Sequence, residues 1–194
     1  MVGGDPAAVE RRLVAGQMAC PGCSAVLVGW GRARLRSVRS AGTLVKIQPR
    51  RARCSGCRVT HVLLPATLLV RRADTAVVIG WALAARALGW GHRRIASALG
   101  RPAATVRGWL RRFLSRAEAV RDWFTVLLRA LAADPVVPGP TGTEAADVLT
   151  VILAAARAAT RRFLLTVPPW RWVAAVSGGR FLAPGWPPGS INTS

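Results

Sequence analysis

Four cysteines constrain this chain more than any other feature, because they come as two pairs, Cys20-Pro21-Gly22-Cys23 and Cys54-Ser55-Gly56-Cys57. A two-residue gap lets both thiolates of a pair face one ion, and two pairs complete a tetrahedral tetrathiolate shell. Such a shell is soft and closed and leaves no position for a catalytic water, which suits structural Zn2+. The glycine of each knuckle, Gly22 and Gly56, is expected to take a positive φ so that backbone amides turn toward the sulfurs. Two disulfides, or a duplicated redox Cys-x-x-Cys, are the competing uses. Disulfides need an oxidising compartment, whereas the first sixteen residues hold Asp5, Glu10, Arg11 and Arg12 and no apolar signal core. Thirty residues separate Cys23 from Cys54, a long gap, so a hairpin is expected to extend from a ribbon built around the knuckles.

Charge supplies the second constraint. The chain carries 28 Lys plus Arg against 8 Asp plus Glu, a formal charge of +20, and Lys46 is its sole lysine. GC-rich coding inflates arginine together with Ala, Gly and Pro, but it does not deplete acids. The imbalance therefore asks for a polyanionic partner. Arginine pairs bidentately with phosphate and with guanine, which favours nucleic acid. With 52% hydrophobic residues over 194 positions the chain is not a disordered one. Its apolar runs, from Val62 and from Val148, are interrupted by Pro65 and Arg157 before the ~20 residues of a membrane span. A soluble, cytoplasmic, nucleoid-associated protein is expected.

Along the chain, residues 1–14 read as a flexible lead-in and 15–66 as a zinc ribbon, with strand-like alternation around Val45, Ile47, Arg51 and Arg53. After Pro65 the period becomes helical, capped at Asp74 or Thr75 and continuing through Val78, Trp81, Ala82, Ala85 and Leu88. Residues 70–133 are read as a helix-turn-helix domain with a trailing helix, and 134–143, holding Pro135, Pro138 and Pro140, as a linker. Residues 144–194 are read as a helical and irregular tail: Thr141 with Glu144 resembles a capping box for a helix toward Phe163, and a short helix is expected near 170–177. The fold class expected is mainly α with a small β zinc ribbon, followed by a helix-turn-helix bundle and C-terminal helices.

The helix-turn-helix reading rests on His92 to Phe113. Ile95, Ala96 and Leu99 fill one face, Gly100 breaks the helix, and Val106, Trp109, Leu110, Phe113 and Leu114 recur at helical spacing on the next. Ala103, Ala104, Arg107 and Arg111 lie opposite that apolar face, the geometry by which a recognition helix enters a major groove. Pro102 occupies the helix start without a Ser, Thr or Asp cap, so the amides of Ala103 and Ala104 are free to meet a phosphate. Arg107 is assigned to base reading, since arginine to guanine is the commonest specific contact. Arg93, Arg94, Arg101, Arg111 and Arg112 are assigned to phosphates. An ordinary helical hairpin with solvated arginines is the bland alternative. Arg50, Arg51, Arg53 and Arg58 around the second knuckle either offset the thiolate charge or touch DNA. His61 lies close after Cys57, yet four cysteines already close the shell, so it is read as a strand or loop residue. His92 is read as a helix-start residue. The stripe of Val120, Trp123, Phe124, Leu127, Leu128 and Leu131 serves either core packing or dimerisation.

Ile47-Gln48-Pro49-Arg50-Arg51-Ala52-Arg53-Cys54-Ser55-Gly56-Cys57-Arg58-Val59-Thr60-His61, then Leu63-Leu64-Pro65, then Leu99 to Phe113 resembles the zinc-ribbon and helix-turn-helix front end of bacterial insertion-sequence transposases. The whole chain is similar to a small actinobacterial family of uncharacterised, transposon-associated helix-turn-helix proteins. That resemblance implies binding to double-stranded DNA at or near mobile-element ends, with a transposase or a second copy of the chain as further partner. Catalysis is not expected. Five carboxylates remain after Phe113, with too little chain for a ribonuclease-H-type domain, and there is no tyrosine for strand transfer. A transcriptional regulator with the same modules, the front fragment of a broken transposase, and a basic RNA-binding protein are the alternatives.

Overall fold

The computed structural model describes residues 2–188. Among them it has seven helices and two small antiparallel sheets: α1 (Pro6–Val14), β1 (Leu27–Arg32), β2 (Arg36–Arg39), β3 (Leu44–Ile47), β4 (Arg50–Cys54), β5 (Thr60–Leu63), α2 (Ala76–Ala87), α3 (His92–Leu99), α4 (Ala103–Leu114), α5 (Ala117–Leu131), α6 (Glu144–Phe163) and α7 (Pro169–Val176). The fold is thus mixed α/β, with a β part larger than the single ribbon expected. A three-stranded sheet has the order β1-β4-β5, and β2 and β3 form a separate hairpin within the long gap between the cysteine pairs.

Alternation decides which way β4 faces. Ala52 and Cys54 are buried, while Arg51 points to solvent. Cys54 pairs with Leu27 and Ala52 with His61, so a small apolar face forms from β1, β4 and β5. Helix α1 covers that face. The expectation of a flexible lead-in is corrected here: the Asp5 carboxylate accepts from the amides of Ala7 and Ala8 at 2.9 and 3.2 Å, and Pro6 sits at the helix start. That cap satisfies orphan amides, and Val9 and Leu13, one turn apart, are buried among Met18, Leu27, Ala52 and Leu63. Glu10 on the same helix accepts from Arg50 Nε and Nη2 at 2.6 and 2.8 Å.

The helical part packs about α2 and α6. Thr75 caps α2 by accepting from the Val78 amide, and Val78, Ile79, Gly80, Ala82 and Leu83 are buried. Gly80 is needed for close approach, since a Cβ there would collide with the Trp170 ring on α7. Helix α6 is buried through Val148, Val151, Ile152, Ala155, Ala156, Ala158 and Ala159. Its alanines leave room for α5 and α2 to come close. Helices α6 and α7 and the segment of Phe181, Leu182 and Trp186 therefore belong to the core and are not a tail, although residues 189–194 lie outside the described ones. Phe181 and Trp186 close one end against Phe113, Trp123 and Phe124, with ring centroids 5.1–6.2 Å apart.

The α6 cap differs from the expected box. Thr143, directly before Glu144, accepts from the Ala146 amide, whereas the amide and hydroxyl of Thr141 both donate to Asp147. These bonds, the hydroxyl's first, hold the Asp147 carboxyl below its usual range. In the α5 stripe Val120, Phe124 and Leu128 are buried among α6, α7 and the closing aromatics, so core packing accounts for it. No helix among the described residues is long and apolar enough to cross a membrane.

Candidate metal centre and basic helix

The two knuckles converge. The four Sγ atoms of Cys20, Cys23, Cys54 and Cys57 all lie within 4.8 Å of one another, with Cys20 to Cys57 at 3.7 Å and Cys23 to Cys54 at 3.3 Å. A tetrahedron of thiolates around Zn2+ has edges of about 3.8 Å, from Zn–S bonds near 2.3 Å. The four thiols therefore form a donor set matched in number and spacing to one ion, a possible metal-binding site. Each knuckle closes similarly: the Cys20 amide donates to Ala25 O and the Cys54 amide to Val59 O, while the Ser55 amide donates to Val26 O and ties one knuckle to the other.

The glycines serve a different purpose from the one expected. Positive φ falls on the residues after each pair, Ser24 at 60° and Arg58 at 64°, and not on Gly22 or Gly56. Gly56 instead makes room, because a Cβ there would lie 3.0 Å from the Ala25 Cβ and 3.6 Å from the Cys23 Sγ.

Two of the thiols move in opposite directions. A hydrogen bond from the Ala25 amide first, then the Cys54 and Cys57 groups, lowers Cys23 to about 6. The Val59 amide also pulls Cys57 down, but Cys54, burial, Cys23 and Cys20 together push it up to about 11. A divalent cation held by the four sulfurs would favour the thiolate form of each. His61 comes closer than expected, with Nε2 at 3.5 Å from Cys20 Sγ, yet the grouped ligands are the four cysteines.

Helices α3 and α4 meet across a short turn. Gly100 takes φ 60°, ψ 45°, and the Arg101 amide reaches back to Ala96 O at 2.9 Å, a Schellman closure that satisfies the end of α3. Ile95 and Ala96 pack against Val106, Trp109, Leu110 and Phe113, all buried. Helix α4 begins at Pro102 with no side-chain cap, and Ala103, Ala104, Arg107, Arg111 and Arg112 are exposed on its outer face. Arg93 and Arg94 are exposed on α3, and the Arg94 guanidinium lies 3.8 Å over the Trp90 ring. The ion pairs among the described residues engage Arg11, Arg39, Arg50 and Arg101, so the arginines on the α4 face carry unneutralised charge.

Arg101 is the exception among the arginines assigned to phosphates. Its Nε donates to Asp74 Oδ1 at 2.5 Å and its Nη2 to Ser40 O at 3.3 Å. Arg39 from β2 holds the same carboxylate through Nε and Nη2 at 3.1 and 2.7 Å. Asp74, almost fully buried, thereby locks the β2–β3 hairpin to the turn between α3 and α4. The assignment of Arg101 to DNA backbone is corrected: a guanidinium committed to a buried carboxylate and to the carbonyls of Leu99, Gly100 and Ser40 is a structural clamp. Asp74 was legible only as a helix cap, since its partners lie 35 and 27 positions away.

Residues 20–109 match the family model described as Domain of unknown function (DUF6431), a stretch that runs from the first cysteine to the middle of α4. No curated protein and no solved structure matches the chain.

Proposed function

We propose that this chain is a non-catalytic, sequence-specific double-stranded DNA-binding protein associated with a mobile element. In this reading the tetracysteine centre holds one structural Zn2+, and α4 reads the major groove. One observation carries the reading. A helix seated by a glycine turn on an apolar core presents an uncapped N-terminus and Arg107, Arg111 and Arg112, none of them neutralised by a carboxylate among the described residues, on a chain of net charge +20. That combination supplies base-edge donors and phosphate contacts on one surface. The kinship to transposase front ends belongs to this proposal, as do a nucleoid location and a transposase or second copy as partner. The four thiolates supply the soft, closed donor set that Zn2+ prefers, and binding it contributes directly to folding.

Selection of bound duplexes from a random pool tests the reading, with a recovered motif as the expected result. At such a site Arg107→Ala should lose about 1 to 3 kcal/mol and relax preference at one base, while Arg112→Ala should weaken all sequences alike. If Arg107→Ala weakens specific and scrambled duplexes equally, α4 does not read bases through Arg107. If the wild-type protein binds no duplex at all, the DNA reading falls.

A further inference from the structure

Beside the outer face of α4 lies an open groove of about 430 Å³ lined by Arg39, Arg71, Arg72 and Arg112, with Asp74, Thr105 and Trp109 at its base and walls. Four guanidiniums from three places in the chain meet there: β2, the turn before α2, and α4. Asp74 is the one carboxylate among the residues lining it, and its oxygens are already taken by Arg39 and Arg101. The remaining charge of Arg71, Arg72 and Arg112 has no counter-ion among the described residues.

The turn holding this cluster is built at a cost. Arg71 sits at φ 59°, a left-handed conformation unfavourable for a residue with a side chain. Arg72 is half-buried, donating Nη1 to Arg71 O and Nη2 to Leu182 O at 3.2 and 2.9 Å, and its Nε is buried without a partner among the described residues. Burial first, then the charge of Arg112, lowers the pKa of the Arg72 guanidinium. Like charges held together around an open groove form an arrangement that a bound oxyanion relieves.

We infer that this groove is a phosphodiester-binding site, in which Arg71, Arg72 and Arg112 seat the backbone of one strand beside the duplex that α4 reads. The inference rests on the duplex-DNA reading and extends it. The footprint includes a turn about 30 positions before α4, and Asp74 fixes the lining residue Arg39 through Nε and Nη2. Contacts of this kind set register and carry no sequence information.

The test is the salt dependence of duplex binding by the full-length, metal-loaded protein, followed by fluorescence anisotropy on a mixed-sequence DNA duplex. Arg71 suits substitution because it is exposed and its side chain supports no other element. Arg71→Gln should lower the slope of log K against log salt by about 0.9 and weaken specific and scrambled duplexes alike, roughly three- to tenfold. Arg71→Lys should restore the slope. Arg129→Gln, at the far end of α5 and about 18 Å along that helix from its start, should leave the slope close to wild type. A wild-type slope in Arg71→Gln overturns the groove while the DNA reading stands, and so does an equal loss in Arg129→Gln. Absence of any duplex binding by the wild-type protein overturns both, and is seen before any variant is made.

Discussion

The cysteine-bearing part and the helical part of this molecule are stabilised by different means. Among the described residues the apolar cluster under the three-stranded sheet has nine buried members, two of them the cysteines Cys20 and Cys54. The helical cluster has thirty-one, drawn from α2 to α7 and the closing aromatics. A core as small as the first rarely holds a fold by itself, and small domains of this kind lean on metals or cross-links. The second is an ordinary packed core. The comparison teaches that the two parts are organised differently: the β part around four thiols, and the helical part around packed apolar side chains.

The largest expected effect tests this separation. Stripping metal with a strong chelator, or introducing Cys54→Ser, should unfold the β part, since structural zinc supplies on the order of 10 kcal/mol in small domains. Helical circular dichroism from α2 to α7 should survive. Loss of both parts in a single transition would show that they fold as one unit, and unchanged stability after chelation would remove the metal from the account.

Phe124→Ala is the complementary cut. Phe124 is fully buried between Trp172, Phe181 and Trp186, and its truncation should cost about 3 to 5 kcal/mol. Thermal unfolding of the helical part should shift accordingly while bound metal, assayed with a thiol-sensitive chromophore, stays at the wild-type ratio.

Asp74→Asn addresses the seam between the two parts. Its carboxylate is 2% exposed, but Arg39 reaches water with 38% of its side chain, so a loss of roughly 2 to 3 kcal/mol is expected, below the range for a fully buried pair. Hydrogen exchange should rise in β2, β3 and the turn at Gly100 together. A rise confined to one of them would mean that the clamp does not join the parts.

Glu10→Gln should have the smallest effect. The Arg50 hydrogen bond lowers the Glu10 carboxyl below its usual range. A group depressed on folding contributes stability that is present above its unfolded pKa and lost as pH falls through its folded pKa. The small difference between Glu10→Gln and wild type should therefore be seen near neutrality and vanish in acid. A difference that persists in acid would assign the effect to packing of α1 instead of charge.

What was legible in the chain follows the range of the interactions. Local signals were readable: the paired cysteines, Gly100 in the left-handed turn, Thr75 as a cap, and the apolar face of α4 each depend on neighbours within a turn or two. Signals of similar range were also missed at α1, where Asp5-Pro6 followed by Val9 and Leu13 is a cap and an apolar step that the charged surroundings obscured. The choice of Thr143 over Thr141 turned on two positions, which side-chain reach decides.

The sequence by itself determined the donor set, the excess of arginine, the helical periods and the turn between α3 and α4, because composition and local backbone preference act before any long-range contact forms. Only the tertiary structure decided that the two cysteine pairs converge, that α6 fills the core, that Arg101 faces inward to Asp74, and that Arg71, Arg72 and Arg112 border one groove. Those outcomes depend on which surfaces are buried against each other. A guanidinium 27 or 35 positions from its carboxylate has no local pattern that distinguishes it from one left in water.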